Sequence, residues 1–125
     1  ESEINTGPTA DEFAPVRPSY IPEGFICTEE EQLTILSFMV YERNEQRISF
    51  QQMFADGTGI GLDTEDAYTE NTQVSGMEAL YVEKQIEDSV HRTLLYHDEV
   101  YIYLLSADGL SRQELFKIAE SVPAV

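Results

Sequence analysis

Residues 90–122 constrain the fold more than any other part of the chain, because they follow the order strand, turn, strand, helix. Residues 90–96 and 100–105 are two runs rich in β-branched, aliphatic and aromatic side chains, separated by a polar turn at residues 97–99. The segment at residues 106–109 ends in glycine and breaks the second run. The pattern predicts an antiparallel hairpin followed by a helix.

The helix is predicted over residues 110–122. Ser111 stands at the N-cap position and Glu114 follows three residues later, which forms a capping box. Helical spacing places Leu115, Ile118, Ala119 and Val122 on one face. Pro123 cannot continue the helix. Because so short a helix is marginal alone in water, we expect its apolar face to pack on the hairpin.

Further β-like runs precede the hairpin. They cover residues 25–30, 33–43, 47–55 and 77–87. The run at 33–43 is apolar in both parities, which predicts a central strand covered on both faces. The short turn that follows this run places Glu42 opposite Arg47 and Tyr41 opposite Ile48.

Connections of hairpin length favour antiparallel pairing. The predicted fold class is therefore α+β, a twisted antiparallel sheet of about six to seven strands with one C-terminal helix packed on one face. Residues 56–70, rich in glycine and acidic side chains, read as an irregular segment. Residues 1–19 are predicted to be a flexible Pro-containing linker, and residues 20–125 a single α+β domain.

The net charge limits the partners of the chain. There are 24 acidic and 7 basic residues, giving a net charge of −17. Such a surface repels phosphate backbones and anionic membranes, so we expect no nucleic-acid partner. Cations, basic peptides and basic wall polymers are electrostatically compatible with it, and the acidity also serves solubility. No run approaches the roughly 18 apolar residues of a membrane span, so we expect membrane attachment only through a segment outside this chain.

Three groups of short motifs resemble one known family. The first is Tyr-Ile-Pro-Glu-Gly-Phe at residues 20–25, and the second is Val-x-Gly at 74–76 with Glu-Ala-Leu-Tyr at 78–81. The third is the closing run over residues 95–121. Together they resemble the DUF4367 family, domains of unknown function from Gram-positive bacteria. The family commonly has a tryptophan where this chain has Tyr96.

The resemblance implies a domain that forms the carboxy-terminal, outward-facing part of a membrane-tethered protein. It also implies a half-barrel sheet similar to that of lipoprotein carriers. No catalytic residues are assigned to the family, so none are carried over to this chain.

Four tyrosines alternate along neighbouring predicted strands. They are Tyr81, Tyr96, Tyr101 and Tyr103. Two interpretations remain open: they form the core under the helix, or they line an aromatic surface that binds a peptide, glycan or lipid. In the second interpretation these four are the predicted ligand-binding residues.

Other chemistry-bearing residues predict no catalytic, metal or cofactor site. His91 and His97 are about 20 Å apart along one strand, too far to share a metal ion. The glycine-rich segment at 56–63 is neither a P-loop nor an EF-hand. A looser Ca²⁺ site remains open there, with the ligands Asp63, Glu65 and Asp66. The single cysteine, Cys27, has no basic neighbour in sequence that would activate it, and it cannot form an internal disulfide.

The resemblance and the missing catalytic pattern together predict a non-enzymatic, extracytoplasmic sensing or binding domain of a membrane-tethered or secreted bacterial protein. The resemblance implies a location at the cell envelope of a Gram-positive bacterium, with an unknown protein, peptide or envelope ligand as the partner. The alternative is a protein–protein interaction module that pairs through a sheet edge or an aromatic face. A hydrolase that uses a carboxylate or Cys27 is the last of the three hypotheses.

Overall fold

The computed structural model describes residues 13–55 and 64–123. In that part of the chain, seven strands form one antiparallel sheet in the order β1-β2-β3-β7-β6-β5-β4. The strands are β1 (Ile26–Gln32), β2 (Leu36–Arg43), β3 (Gln46–Phe54), β4 (Tyr68–Val74), β5 (Met77–Ile86), β6 (Ser89–His97) and β7 (Tyr101–Asp108), and the helix is α1 (Arg112–Glu120). The predicted fold class is confirmed.

The position of β2 differs from the prediction. Its register with β3 is confirmed, with Glu42 opposite Arg47 and Tyr41 opposite Ile48. The prediction that β2 is central is wrong, because β2 lies next to the edge strand β1 and the centre is formed by β3, β7 and β6. The insertion of β7 beside β3 is a long-range pairing, so no local pattern in the sequence marks it.

The start of β4 also differs. This strand begins at Tyr68, inside the segment predicted to be irregular. Its sequence, Tyr-Thr-Glu-Asn-Thr-Gln-Val, lacks the apolar alternation that marks a half-buried strand. An edge strand needs less of that alternation, because it is covered by fewer neighbours. Residues 64–67 form a turn before β4, with the Ala67 N–H donating to the Thr64 carbonyl at 3.1 Å, and residues 56–63 lie outside the described residues.

The C-terminal helix follows the prediction closely. The Ser111 hydroxyl accepts a hydrogen bond from the Glu114 backbone N–H at 3.1 Å, so the predicted cap is present. Leu115, Ile118 and Ala119 are buried and face the sheet. The helix packs on β4, β6 and β7.

The N-terminal strap, defined as residues 13–20, covers the part of the same face that lies beside the helix. The buried Gln52 side chain binds its backbone at two points. The Val16 N–H donates to the Gln52 Oε1 at 2.9 Å, and the Gln52 Nε2 donates to the Ala14 carbonyl at 3.0 Å. Phe13 packs edge-on against Phe54. Most of the strap falls within the predicted linker, and it contacts the core.

The sheet therefore has two different faces. The helix face is covered by the strap and α1 and contains most of the buried core. The second face carries the alternate residues of each strand. Among the described residues, no helix or strand packs on the second face.

Candidate functional site

The second face is the candidate site, and its side chains form rows that cross the sheet. A charged row consists of Glu42, Arg47, Asp108, His91 and Lys84. A row of small residues follows, with Val40, Ser49, Ser106, Thr93 and Val82. A mainly apolar row comes next, with Phe38, Gln51, Leu104, Leu95, Leu80 and Asn71. The last row contains Leu36, Met53, Ile102, His97, Glu78 and Gln73.

An imidazole–carboxylate pair stands in the middle of the charged row. The His91 Nδ1 and the Asp108 Oδ1 are 2.5 Å apart, which fixes the ring against β7. Both side chains line a hollow of about 320 Å³, together with Arg47, Ser49 and Ser106. This inner hollow offers hydrogen-bond donors and acceptors to a polar group.

A larger hollow lies at the β4 side of the same face. It has a volume of about 800 Å³. The side chains that line it include Asn71, Gln73, Glu78, Leu80, Leu95 and His97. Amides, a carboxylate and an imidazole surround two aliphatic side chains, a combination suited to a polypeptide or another amphipathic ligand. We call this the edge hollow.

The four predicted ligand-binding tyrosines lie on the helix face instead. Tyr81, Tyr96, Tyr101 and Tyr103 are each at most 2% exposed. Their burial matches the interpretation that they form the core under the helix. Desolvation raises the pKa values of Tyr81 and Tyr103 to about 12 and raises that of Tyr96 further. Ligand binding by these rings stays a prediction, and it would require the strap or α1 to move aside.

A known protein family matches the part of the chain that forms most of this architecture. Residues 15–122 match the family described as "Domain of unknown function (DUF4367)". The chain belongs to the DUF4367 family. The matched span contains all seven strands, α1 and both hollows. No curated protein and no solved structure matches the chain.

The other side chains of this DUF4367 domain that the sequence analysis considered for a catalytic or metal site do not lie together. His91 and His97 lie in different rows and line different hollows. Within residues 13–55 and 64–123, no group of three or more His, Cys, Asp or Glu side chains could hold a metal ion. Cys27 is exposed on β1. The predicted calcium ligand Asp63 lies outside the described residues, and Ca²⁺ binding there stays a prediction.

The sequence interpretation missed the charged row and the inner hollow of the DUF4367 domain. Parity within each strand places Arg47 and Asp108 on the same face only if β3 is known to pair with β7. The predicted hairpin does not give the pairing of His91 with Asp108 either. A turn at residues 97–99 would place His91 opposite Leu105, whereas the observed register places His97 opposite Ile102 and so His91 opposite Asp108.

No helix in the described part of the chain is long and apolar enough to cross a membrane.

Proposed function

We propose that this domain is a non-enzymatic, extracytoplasmic sensing or binding domain that engages a protein or envelope ligand with its second face. The observation that carries the proposal is the composition of that face. Half-exposed apolar side chains occupy its middle, and polar hollows flank them. A continuous apolar area with a polar rim is typical of a binding surface.

The contacts of the polar groups support binding rather than hydrolysis. The His91 ring is directed to Asp108, while the Thr93 and Ser106 hydroxyls contact each other at 3.3 Å. Among the described residues, no hydrogen bond joins the His91 ring to a hydroxyl that it could activate. In a screen of hydrolase substrates, turnover that a His91→Ala substitution abolishes would contradict this part of the proposal.

Binding by the second face is tested by NMR titration of the ¹⁵N-labelled domain. The probes are a Lys-rich peptide and a soluble muropeptide. We expect amide shifts confined to the second face, and binding at least tenfold weaker in a Leu104→Glu variant, which places a charge in its apolar row.

A matched control is Leu33→Glu, because Leu33 is 55% exposed and lies outside the strands. Thermal unfolding of both variants checks that each remains folded. Shifts that map to α1 and the strap, or equal binding by the two variants, would contradict the proposal.

The extracytoplasmic location has its own test in Cys27. This thiol is exposed, so a membrane-impermeant maleimide can reach it wherever the domain faces the outside. We expect labelling of the Cys27 peptide in intact cells that produce the full-length protein, detected by mass spectrometry. Cys27→Ser is the control, and labelling that appears only after lysis would contradict the proposed location.

A further inference from the structure

The two edge strands of the sheet are protected to very different degrees. The edge strand β1 has a register irregularity between Cys27 and Glu29, and it carries three consecutive glutamates, Glu29, Glu30 and Glu31. Bulges and charged side chains are the usual means by which proteins prevent an exposed edge from pairing with another chain.

The edge strand β4 has none of that protection. It pairs with β5 through seven successive residues in unbroken register. It contains no proline and no lysine, and its side chains are mostly Thr, Asn and Gln. In the described part of the chain, no strand lies on its outer side. As far as residues 13–55 and 64–123 are concerned, the backbone groups of that side are therefore available to an incoming strand.

The single acidic residue of β4 does not act as a protecting charge. The carboxylate of Glu70 receives two hydrogen bonds from Arg112, at 2.8 and 3.0 Å, and one from the Tyr68 hydroxyl at 2.9 Å. Its charge is compensated by the guanidinium and directed towards α1. The outer side of β4 thus presents an almost neutral edge on a protein of net charge −17.

We propose that β4 pairs with an extended segment of another protein, one that carries Lys or Arg and adds to the sheet as a further strand. This inference rests on the proposed binding role and names its partner. The edge hollow adjoins β4, so every second side chain of the added strand would reach it. There Leu80 and Leu95 accept an aliphatic stem, and Glu78 accepts a cationic end.

Charge selects the partner. A second copy of this chain would bring a further net charge of −17 to the edge, whereas a basic segment is attracted. The chemistry of the edge hollow agrees, because it contains a carboxylate, an imidazole and two amides and no lysine or arginine. The partner is therefore a basic segment with high β-propensity.

The test uses the intact domain and a seven-residue peptide of alternating Lys and Val. We expect binding by NMR titration, together with at least tenfold slower hydrogen exchange of alternate amides in Tyr68–Val74. A peptide with Glu in place of Lys should not bind. A peptide of the same charge with every backbone amide N-methylated should not bind either, because it has no N–H group to donate to β4 from either edge.

The chain offers a matched pair of edge variants. Thr69→Lys with Gln73→Lys places two positive charges on β4, and Thr28→Lys with Gln32→Lys makes the same changes on β1. All four side chains are exposed, so both variants should fold. We expect the β4 variant to bind the Lys-Val peptide at least tenfold more weakly than the β1 variant does.

The outcomes separate the two proposals. Peptide shifts on the second face without protection of β4 would overturn the edge inference and leave the binding role intact. Equal binding of the N-methylated peptide would overturn it as well, since attraction between charges would then suffice. No binding of the Lys-Val peptide also overturns it, while the muropeptide titration on the second face continues to test the proposed function.

Discussion

Two tyrosine hydroxyls on the helix face have opposite surroundings. The Tyr96 hydroxyl is buried and has no hydrogen-bond partner among the described residues. The Tyr101 hydroxyl accepts a hydrogen bond from the Ala14 backbone N–H at 2.8 Å and so fastens the strap. The hydroxyl therefore destabilises the folded state at Tyr96 and stabilises it at Tyr101.

Replacement of each tyrosine by phenylalanine should separate these effects. We expect Tyr96→Phe to leave the free energy of unfolding unchanged or raise it by up to about 1 kcal/mol, since it removes an unpartnered hydroxyl. Tyr101→Phe should lower it by about 1 kcal/mol, since the Ala14 N–H loses its acceptor. Urea unfolding at neutral pH measures both values. A larger loss for Tyr96→Phe than for Tyr101→Phe would contradict the assignment.

Neighbouring glutamines on β3 allow a second comparison at this scale. Gln52 is fully buried and binds the strap backbone twice, whereas Gln51 points to the second face. We expect Gln52→Leu to destabilise the fold by about 1–3 kcal/mol, because two strap groups lose their partner. Gln51→Leu should change stability by less than about 0.5 kcal/mol. Equal effects in urea unfolding would show that the strap contributes little.

At the scale of elements, an ion pair connects the start of α1 to β4. Arg112 donates two hydrogen bonds to the Glu70 carboxylate and lies over the rings of Tyr81 and Phe116, 4.6 and 5.0 Å from their centroids. The hydrogen bonds from Arg112, and then that from Tyr68, lower the pKa of Glu70 to about 2. The sheet edge and the helix are thus joined at the end where α1 begins.

The ion pair between Glu70 and Arg112 should make the free energy of unfolding depend on pH in a defined window. Because the pKa of Glu70 falls from 4.5 in the unfolded chain to about 2 in the folded one, its contribution is complete above pH 4.5. It is lost as the pH falls from 4.5 towards 2. We expect the stability difference between the wild type and Glu70→Gln to shrink over that window, measured by urea unfolding at successive pH values.

The control for the ion pair between Glu70 and Arg112 is Glu78→Gln on the adjacent strand β5. It removes the same formal charge without removing an ion pair from the described structure. If both variants show the same pH dependence, the effect belongs to the general charge of the protein and not to the contact between Glu70 and Arg112.

At the scale of the whole molecule, local sequence signals predicted the helix and most of the strands. The order of the strands in the sheet depends on long-range pairing. The capping box at Ser111 and the helical spacing of Leu115 and Ile118 predicted α1, because those contacts lie within one turn or two. The turn after Glu42 predicted the register of β2 and β3 for the same reason. The insertion of β7 beside β3 depends on residues that are 47 to 61 positions apart, and no local sequence pattern signals it.

The candidate site shows the same division. The hairpin of β6 and β7 was predictable, whereas the register that pairs His91 with Asp108 and the approach of Arg47 to them were not. The aromatic tyrosines were correctly placed on one face, yet parity alone does not tell which face the helix covers. The polar strand β4 was missed in part because edge strands need little apolar alternation.

The net charge of the whole molecule leads to the last prediction. Repulsion among 24 acidic side chains opposes folding, and the Arg–Glu ion pairs of the described residues lie at or near the surface, where such pairs contribute little. Added NaCl shortens the range of both effects, to about 3 Å at 1 M. We therefore expect Tm to rise by about 4 °C between 0.02 and 0.5 M NaCl, about 1 kcal/mol of stability.

The charged edge strand provides the control for this salt effect. Glu29→Gln with Glu31→Gln removes two charges from β1 that have no ion pair in the described structure. The variant should start from a higher Tm at low salt and gain less from NaCl than the wild type does. Chloride is used because sulfate would strengthen apolar burial by itself. A Tm that falls as NaCl is added would mean that the ion pairs outweigh the repulsion, and that the acidic surface is organised to stabilise this fold.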